Sequence, residues 1–428
     1  MKTSAPIGRL SVMMLLQYAV WGAWLPLAAR YLSATPAEGG LGFTGTQIGM
    51  ILGLAGSIGA VASPFLAGQL ADRYFRTERF LAALLVVGGM VKWVTASQTT
   101  YSAWLWLSIV YSVVYMPTLA LSNSLAFAHL NDRDRQFPKV RVWGTIGWIA
   151  ASWLFPLFWL LEDVGPRWLP PFYGGTEAAD ATSRLVDSLI ASGLVAFAYA
   201  AFCFLLPHTP PRRDAVQKLA FAKAFSMFTR PSLAVLLAAS LPIAVIHQIY
   251  FMQTSPFFAE VLGLRDSQIG PAMTIGQFAE IVVMVMVGWM LQRLGFRWVL
   301  VIGCLAYFTR YLIFASSALP VPVIVGSQVL HGFCYACFFA VSFIYVDRMV
   351  PPDVRHSAQT VFGIIILGLG PVVAAPFLDV LARVLTPAGG ELDYSALWMT
   401  LSVIGLATAV LVAVFFRDET AGGSGPPG

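Results

Sequence analysis

Long apolar segments separated by short polar loops run through almost the whole chain. A helix needs about 20 mostly apolar residues to cross the hydrocarbon core of a bilayer. Residues 10–31, 48–71, 324–346 and 397–416 each meet that requirement, and the first carries one permanently charged side chain, Arg30, close to its end. The pattern therefore predicts an all-α membrane protein.

The same pattern along the whole chain predicts twelve transmembrane helices. They are residues 10–31, 46–71, 80–97, 103–129, 140–161, 188–207, 233–259, 268–291, 298–317, 322–347, 356–382 and 394–416. The basic connector from His208 to Arg230 follows the sixth helix and divides the set into two groups of six. We therefore expect an N-terminal bundle (1–207), a cytoplasmic linker (208–232), a C-terminal bundle (233–417) and a disordered tail (418–428).

The distribution of basic residues supports this helix count. Lys and Arg collect in the cytoplasmic loops of membrane proteins. With both termini in the cytoplasm, nineteen of the 26 Lys and Arg residues fall in inner loops and five in outer loops. The remaining two, Lys92 and Arg310, lie inside the third and ninth predicted helices. We expect their long side chains to snorkel to the outer membrane interface, away from any binding site.

Composition narrows the class of protein. The chain is 58% apolar and only 11% charged, whereas soluble domains are about 45–50% apolar and about 25% charged. The four cysteines all lie in apolar segments and are predicted to be packing residues. No phosphate-binding Walker loop, nucleophile–base arrangement or metal-ligand spacing is recognisable. We expect neither an enzyme nor an ATP-driven pump, and no metal, cofactor or nucleic acid.

The two groups of six helices show traces of an internal repeat. Gly68-x-x-x-Asp72-Arg73 follows the second predicted helix, and Gly288-x-x-x-Gln292-Arg293 follows the eighth, 220 residues later. Parallel repeats of six helices are typical of one large class of secondary transporters. The repeat therefore indicates two pseudo-symmetric halves.

The run Gly68-Gln-Leu-Ala-Asp72-Arg73-Tyr-Phe-Arg76 resembles the signature loop of the major facilitator superfamily. In that superfamily the loop holds a charge network that breaks and re-forms as the halves move. The resemblance implies the major facilitator fold and a gating role for Asp72, Arg73 and Arg76.

A closer resemblance covers most of the chain. The runs Tyr115-Met-Pro-Thr-Leu and Arg141-Val-Trp-Gly-Thr145-Ile-Gly are similar to the bacterial nucleoside:proton symporter family. The resemblance implies uptake of nucleosides coupled to proton entry. It also implies a set of substrate-binding residues on helices five, seven, eight and ten: Arg141, Thr145, Trp148, Gln248, Gln277, Glu280 and Tyr335. Two polar positions of the family are apolar here, the helix-ten acid at Ala336 and a helix-seven Asn at Phe251.

Spacing and chemistry add to this set. Glu280 lies near the middle of a predicted helix, where an ionised side chain costs at least ~2.5–3.5 kcal/mol. We therefore predict that Glu280 carries the coupled proton, contacts substrate, or does both. Gln277 is three residues earlier and projects from the same face. Arg141, Thr145 and Trp148 fall at i, i+4 and i+7, which makes one stripe on the fifth helix.

Three further polar or aromatic residues complete the predicted site. His331 precedes Tyr335 by one helical turn and is titratable near neutral pH. Gln17 and Trp21 share a face of the first helix and would give the N-terminal half its share of the pocket. Trp24 is predicted to be an anchor at the membrane interface instead.

The sequence thus favours a proton-coupled nucleoside transporter that works by alternating access in the bacterial inner membrane. We expect it to be a monomer in the lipid bilayer. Two alternatives stay open. One is a proton symporter for another polar metabolite, such as a sugar or a nucleoside-like conjugate. The other is a membrane receptor that binds its ligand without moving it.

Overall fold

The fold is built almost entirely from membrane-spanning helices. The structure is a computed structural model that describes residues 6–65, 75–169, 172–210, 226–316, 318–351, 355–387, 390 and 392–419. Within these ranges, eleven helices are long and apolar enough to cross a membrane. One of them, Asp266–Ala315, consists of two helices joined at Gly295. The predicted count of twelve helices is therefore confirmed.

The twelve helices follow one another along the chain. They are α1 (Ile7–Ser33), α2 (Gly45–Ser63), α3 (Thr77–Ala96), α4 (Tyr101–His129), α5 (Arg133–Phe155), α6 (Asp187–Phe202), α7 (Pro231–Glu260), α8 (266–294), α9 (296–315), α10 (Val321–Met349), α11 (Ala358–Leu385) and α12 (Tyr394–Phe415). Gly295 has a φ of 72°, in the left-handed region that glycine adopts without a steric penalty. This residue sets the turn between α8 and α9.

A small β-hairpin lies between α5 and α6, where the sequence predicts only a loop. Strand β1 (Leu161–Leu169) pairs antiparallel with β2 (Phe172–Glu177), with Leu161 opposite Glu177. Gly165 and Pro166 interrupt any regular alternation of apolar residues in β1. The segment therefore lacks the usual sequence signal of a strand.

Contacts divide the chain into two compact units. The first unit contains Met1–Ala215 and Phe251–Thr274, and the second contains Val216–Tyr250 and Ile275–Gly428. The predicted division at the linker follows the helix repeat and stays a prediction. Much of that linker (211–225) and the tail from residue 420 onward lie outside the described residues.

In the first unit, α1 packs closely against α5 because both helices carry glycine at the contact. A Cβ on Gly22 would lie 2.6 Å from the carbonyl oxygen of Trp148, and a Cβ on Gly147 would collide with the carbonyl oxygen of Leu15. On another side of α1, Leu10, Met13 and Met14 belong to a buried apolar cluster with α3, α4 and α6. Small residues such as Gly22 and Gly147 allow the backbones of membrane helices to approach each other closely.

A buried ion pair in the first unit joins the end of α1 to the start of α8. Arg30 donates from Nε to Asp266 Oδ1 at 3.0 Å, and both side chains are almost completely buried. Thr182 donates to the other oxygen of Asp266 at 2.5 Å. Glu38, which is half exposed, lies 3.2 Å from the Arg30 guanidinium. A hydrogen bond from the Thr35 backbone N–H holds the pKa of the Glu38 carboxyl below its usual value.

The β-hairpin adds a second connection to the start of α8. Glu177 accepts a hydrogen bond from the backbone N–H of Ser267 at 2.6 Å, and Arg265 donates to the carbonyl oxygen of Gly175 at 2.7 Å. Burial raises the pKa of the Glu177 carboxyl above its usual value. As pH rises, the contributions of Glu38 and Glu177 to the stability of the folded protein therefore change in opposite directions.

We expect Gly147→Ala to lower the melting temperature of the purified protein, because the added methyl collides with the α1 backbone. Overpacking of this kind costs about 1–3 kcal/mol. Gly56→Ala is the matched control, since a Cβ there meets nothing within 4 Å. Equal melting temperatures for both variants in the same detergent would contradict the tight α1–α5 contact.

We expect Glu177→Gln to stabilise the protein at neutral pH. A carboxyl whose folded-state pKa is raised contributes stability at low pH and loses it as pH rises through that pKa. The melting temperature of Glu177→Gln relative to wild type should therefore rise between pH 4 and pH 7.5. Glu38→Gln should show the opposite trend and lose stability above the usual carboxyl pKa. If the melting temperatures of both variants changed in the same direction with pH, relative to wild type, the opposite pKa shifts of Glu38 and Glu177 would be refuted.

Candidate substrate site

The predicted stripe on α5 forms a half-buried face in the first unit. Arg141, Thr145 and Trp148 are all partly exposed there. The Arg141 guanidinium lies 4.2 Å from the centroid of the Tyr18 ring. Trp148 meets Trp21 edge to face, with centroids 5.8 Å apart. The structure therefore brings four of the predicted site residues to neighbouring positions on α1 and α5.

Gly144 makes room for this arrangement. A Cβ at that position would lie 2.6 Å from the Tyr18 ring and 2.8 Å from Nη1 of Arg141. Without a side chain there, the guanidinium can lie on the aromatic ring, a contact that stabilises a cation in a poorly solvated place. The contact between Arg141 and Tyr18 therefore explains why the sequence run that begins at Arg141 has a glycine at position 144.

Gln17 has a different environment from the one predicted. Its side chain is fully buried. Its Nε2 donates to Thr118 at 2.8 Å, and its Oε1 accepts from Ser122 at 2.9 Å. Tyr115 donates to its backbone carbonyl at 2.5 Å. These contacts give Gln17 a role in holding α1 against α4, and its predicted role in substrate binding gains no support from them.

Lys92 corrects a prediction made from the sequence. Only 4% of Lys92 is exposed, so its side chain does not snorkel. Its Nζ lies 3.1 Å from the centroid of the Trp24 ring and 3.9 Å from that of Tyr111. Trp24 is itself buried, so it is not an interfacial anchor. Two aromatic faces stabilise the ammonium group where water is absent.

The polar face of α8 in the second unit is shaped by two glycine contacts with α10. A Cβ on Gly276 would lie 2.7 Å from Cβ of His331, and a Cβ on Gly332 would lie 2.6 Å from the backbone nitrogen of Glu280. Gln277 follows Gly276 directly. The structure therefore packs α8 closely against α10 at Gly276 and Gly332, next to Gln277 and at the backbone of Glu280.

Gln277 has an unused hydrogen-bonding atom. Its side chain is 8% exposed, and its Oε1 has no hydrogen-bond partner within the part of the chain that the structure describes. A buried acceptor without a partner costs about 1–3 kcal/mol. A bound molecule that donates a hydrogen bond to this oxygen would recover that cost. Glu280, one turn further along α8, is half-buried.

Gln248 and Tyr335 lie on the other two helices of the predicted set. Both are half-buried in the second unit. Tyr335 belongs to a π-helical segment of α10, Cys334–Ala340, and its ring centroid lies 6.1 Å from that of Phe339. Widened turns of this kind frequently occur at functional sites.

Arg310 also lies in a different place from the one that the sequence predicts. The sequence places it at the membrane interface, but the side chain is fully buried. It donates to His331 Nδ1 at 2.7 Å and to the Tyr311 hydroxyl at 3.1 Å. Its guanidinium lies 4.2 Å from the centroid of the Tyr250 ring. Arg310 therefore stands directly behind a predicted site residue, and sequence analysis missed it.

A repeated pattern in the sequence contains the signal for both missed cations. Lys92 is followed by Trp93, and Arg310, 218 residues later, is followed by Tyr311. In each unit the cation lies over the ring of an aromatic residue from the first helix of its half, Trp24 or Tyr250. When two repeats carry a charged residue at equivalent positions, that residue is better interpreted as having a partner inside the protein than as lying at the membrane interface.

The remaining predictions concern the gating loop and the apolar replacements. Asp72 and Arg73 lie outside the described residues. Arg76 is exposed just before α3, and its gating role stays a prediction. Ala336 is fully buried, so the helix-ten position of the family acid holds a packed methyl group in this chain.

Comparisons with known proteins agree with this architecture. The nucleoside H+ symporter family matches residues 1–421. The transporter YegT of Escherichia coli is 30% identical over 431 residues, covering 98% of this chain and 95% of YegT. Xanthosine permease of Escherichia coli is 28% identical over 428 residues, covering 96% of this chain and 95% of the permease.

Solved structures show the same fold. The crystal structure of the nucleoside transporter NupG matches with a TM-score of 0.79 at 23% identity, covering 96% of this chain and 99% of NupG. A D-xylose-proton symporter matches with a TM-score of 0.71 at 13% identity, covering 96% of this chain and 98% of that protein. The chain therefore belongs to the nucleoside H+ symporter family and is a multi-pass membrane transporter with the major facilitator fold.

Proposed function

We propose that this transporter takes nucleosides into the cell together with protons, by alternating access. The observation that carries the proposal is the polar face of α8, where Gln277 has a buried acceptor without a partner among the described residues and Glu280 lies one turn away. The family match and the names of the relatives supply the substrate class.

Each unit carries side chains that suit one part of a nucleoside. A nucleobase has a flat face and an edge of donors and acceptors, and the ribose has vicinal hydroxyls. Trp148 and Trp21 provide aromatic surface for the base, as aromatic side chains do in other base-binding sites. Arg141, Thr145, Gln248 and Gln277 provide hydrogen bonds, and Tyr335 and His331 contribute from α10.

Glu280 is the proposed proton carrier. A carboxylate inside a membrane helix is costly when ionised and much less costly when protonated. A group that alternates between these two states as the site changes its access to water couples proton movement to substrate movement. Because Ala336 supplies no carboxyl from α10, Glu280 is the carboxyl among the predicted substrate-binding residues.

The basic inner loops support a direction of insertion with both termini in the cytoplasm of a bacterial inner membrane. A monomer is sufficient for this mechanism, since all proposed site residues come from one chain.

A second candidate is a proton symporter for another polar metabolite. It is favoured by the two apolar replacements, since Ala336 and Phe251 remove a carboxyl and an amide from positions that are polar in the family. Competition of labelled uridine uptake by a panel of nucleosides and sugars distinguishes the two candidates.

We expect wild-type protein in proteoliposomes to accumulate labelled uridine or adenosine when the proton gradient points inward. Glu280→Gln should abolish accumulation above equilibrium while still allowing counterflow exchange, because the amide binds no proton yet keeps the side-chain shape. The matched control is Asp379→Asn, which removes a carboxyl from α11 that pairs with Arg383 at 2.6 Å. Gradient-driven accumulation by Glu280→Gln at the wild-type level would exclude Glu280 as the proton carrier.

We expect Gln277→Leu to raise the KM for nucleoside exchange about fivefold, because a hydrogen bond worth about 1 kcal/mol is lost. The maximal exchange rate should change little. Gln292→Leu, on an exposed position of the same helix, is the control. An unchanged KM in Gln277→Leu would remove this residue from the proposed site.

A further inference from the structure

The hydrogen bond between Arg310 and His331 fixes the position of a proton. A guanidinium has only N–H donors and cannot accept a hydrogen bond. Nη1 of Arg310 lies 2.7 Å from Nδ1 of His331, so Nδ1 must be the acceptor. The ring of His331 is therefore neutral, and its single N–H is on Nε2.

Arg310 cannot easily turn away from this contact. Its Nη2 donates to the Tyr311 hydroxyl at 3.1 Å, and that hydroxyl donates to the backbone carbonyl of Ile246 at 2.9 Å. Its guanidinium lies over the Tyr250 ring, whose hydroxyl accepts a hydrogen bond from Gln328 at 2.9 Å. Contacts with α7, α9 and α10 thus hold the guanidinium in one orientation.

The groups around His331 do not offer a replacement for Arg310. Helix α7 contributes His247, stacked at 5.4 Å, and Tyr250, at 5.1 Å between ring centroids. Nδ1 of His247 is itself 2.7 Å from the Tyr307 hydroxyl of α9. Helix α8 approaches His331 through Gly276, and the backbone of Glu280 contacts the neighbouring Gly332. Among the described residues, Arg310 is the permanent charge in direct contact with the ring.

A second proton on His331 would disrupt this arrangement. It would occupy the lone pair that now accepts from Arg310, and it would place two positive charges side by side in a region from which water is excluded. Repulsion between like charges grows as the local dielectric falls. The pair is therefore stable with one positive charge, carried by the guanidinium.

We propose that Arg310 is a positioning residue that keeps His331 neutral, with its proton on Nε2, and thereby excludes His331 from carrying the coupled proton. The Nε2–H of His331 then stays a hydrogen-bond donor as pH changes, and Glu280 remains the proposed proton carrier. The part of this inference that concerns transport rests on the proposed function, whereas the protonation state of His331 does not.

The protonation state can be measured directly in the wild-type protein. Nitrogen-15 NMR of histidine-labelled transporter in lipid bilayers distinguishes the Nε2–H ring, the Nδ1–H ring and the doubly protonated ring. The His331 signal is assigned by its loss in His331→Gln. We expect an Nε2–H ring throughout pH 5.5–8. An imidazolium signal, or an Nδ1–H ring, within that range would overturn the proposal.

Nucleoside exchange at equal pH on both sides of the membrane tests the role of Arg310. Relative to wild type, exchange by Arg310→Met should fall about tenfold between pH 8 and pH 5.5, because Nδ1 of His331 no longer accepts from a guanidinium and can take a second proton with no positive charge beside it. Arg310→Lys keeps a donor and should retain the wild-type profile. In the double variant Arg310→Met/His331→Gln, nucleoside exchange should no longer decline toward acidic pH.

These measurements separate the possible failures. A decline that persists in the double variant, or a profile of Arg310→Met that parallels wild type, would contradict the proposal. If wild type exchanges no nucleoside, the proposed function fails, and the NMR measurement still decides the state of His331. If Arg310→Met does not fold, the same NMR measurement on wild-type protein remains decisive.

Discussion

Every polar group inside a membrane must find its partner within the protein, because the lipid offers none. This constraint organises the helices of the first unit. The Gln17 amide is satisfied by two hydroxyls of α4, and Ser192 of α6 donates to the carbonyl oxygen of Val20 at 2.6 Å. Within the described part of the chain, aromatic rings rather than hydrogen-bond acceptors surround the Lys92 ammonium group. Polar residues in this protein therefore connect helices as specifically as apolar packing does.

The same constraint separates structural polar residues from the proposed site. Gln17 has both ends of its amide paired and is fully buried. Gln277 has a buried oxygen without a hydrogen-bond partner among the described residues. A buried polar group of this kind is one for which a ligand would change the energy. The sequence shows which polar residues lie on helices, but it does not show which of them have hydrogen-bond partners in the folded protein.

Sequence alone predicts the twelve helices, because hydropathy and the distribution of basic loops depend only on local composition. It also predicts the α5 stripe, since helical periodicity places Arg141 and Trp148 on one face. It does not predict the positions of Lys92, Arg310 and Trp24, because tertiary partners decide whether a long polar side chain turns inward or snorkels. The hairpin is missed for a related reason, since glycine and proline hide its strand pattern.

The aromatic surroundings of Lys92 have a consequence for how the protein is made. As α3 leaves the ribosome, Trp24 of α1 has already been synthesised, but Tyr111 of α4 has not. A lone ammonium group in a newly inserted helix costs at least ~2.5–3.5 kcal/mol, and the second ring arrives only with the next helix. We therefore expect the membrane insertion of α3 to be completed together with that of α4.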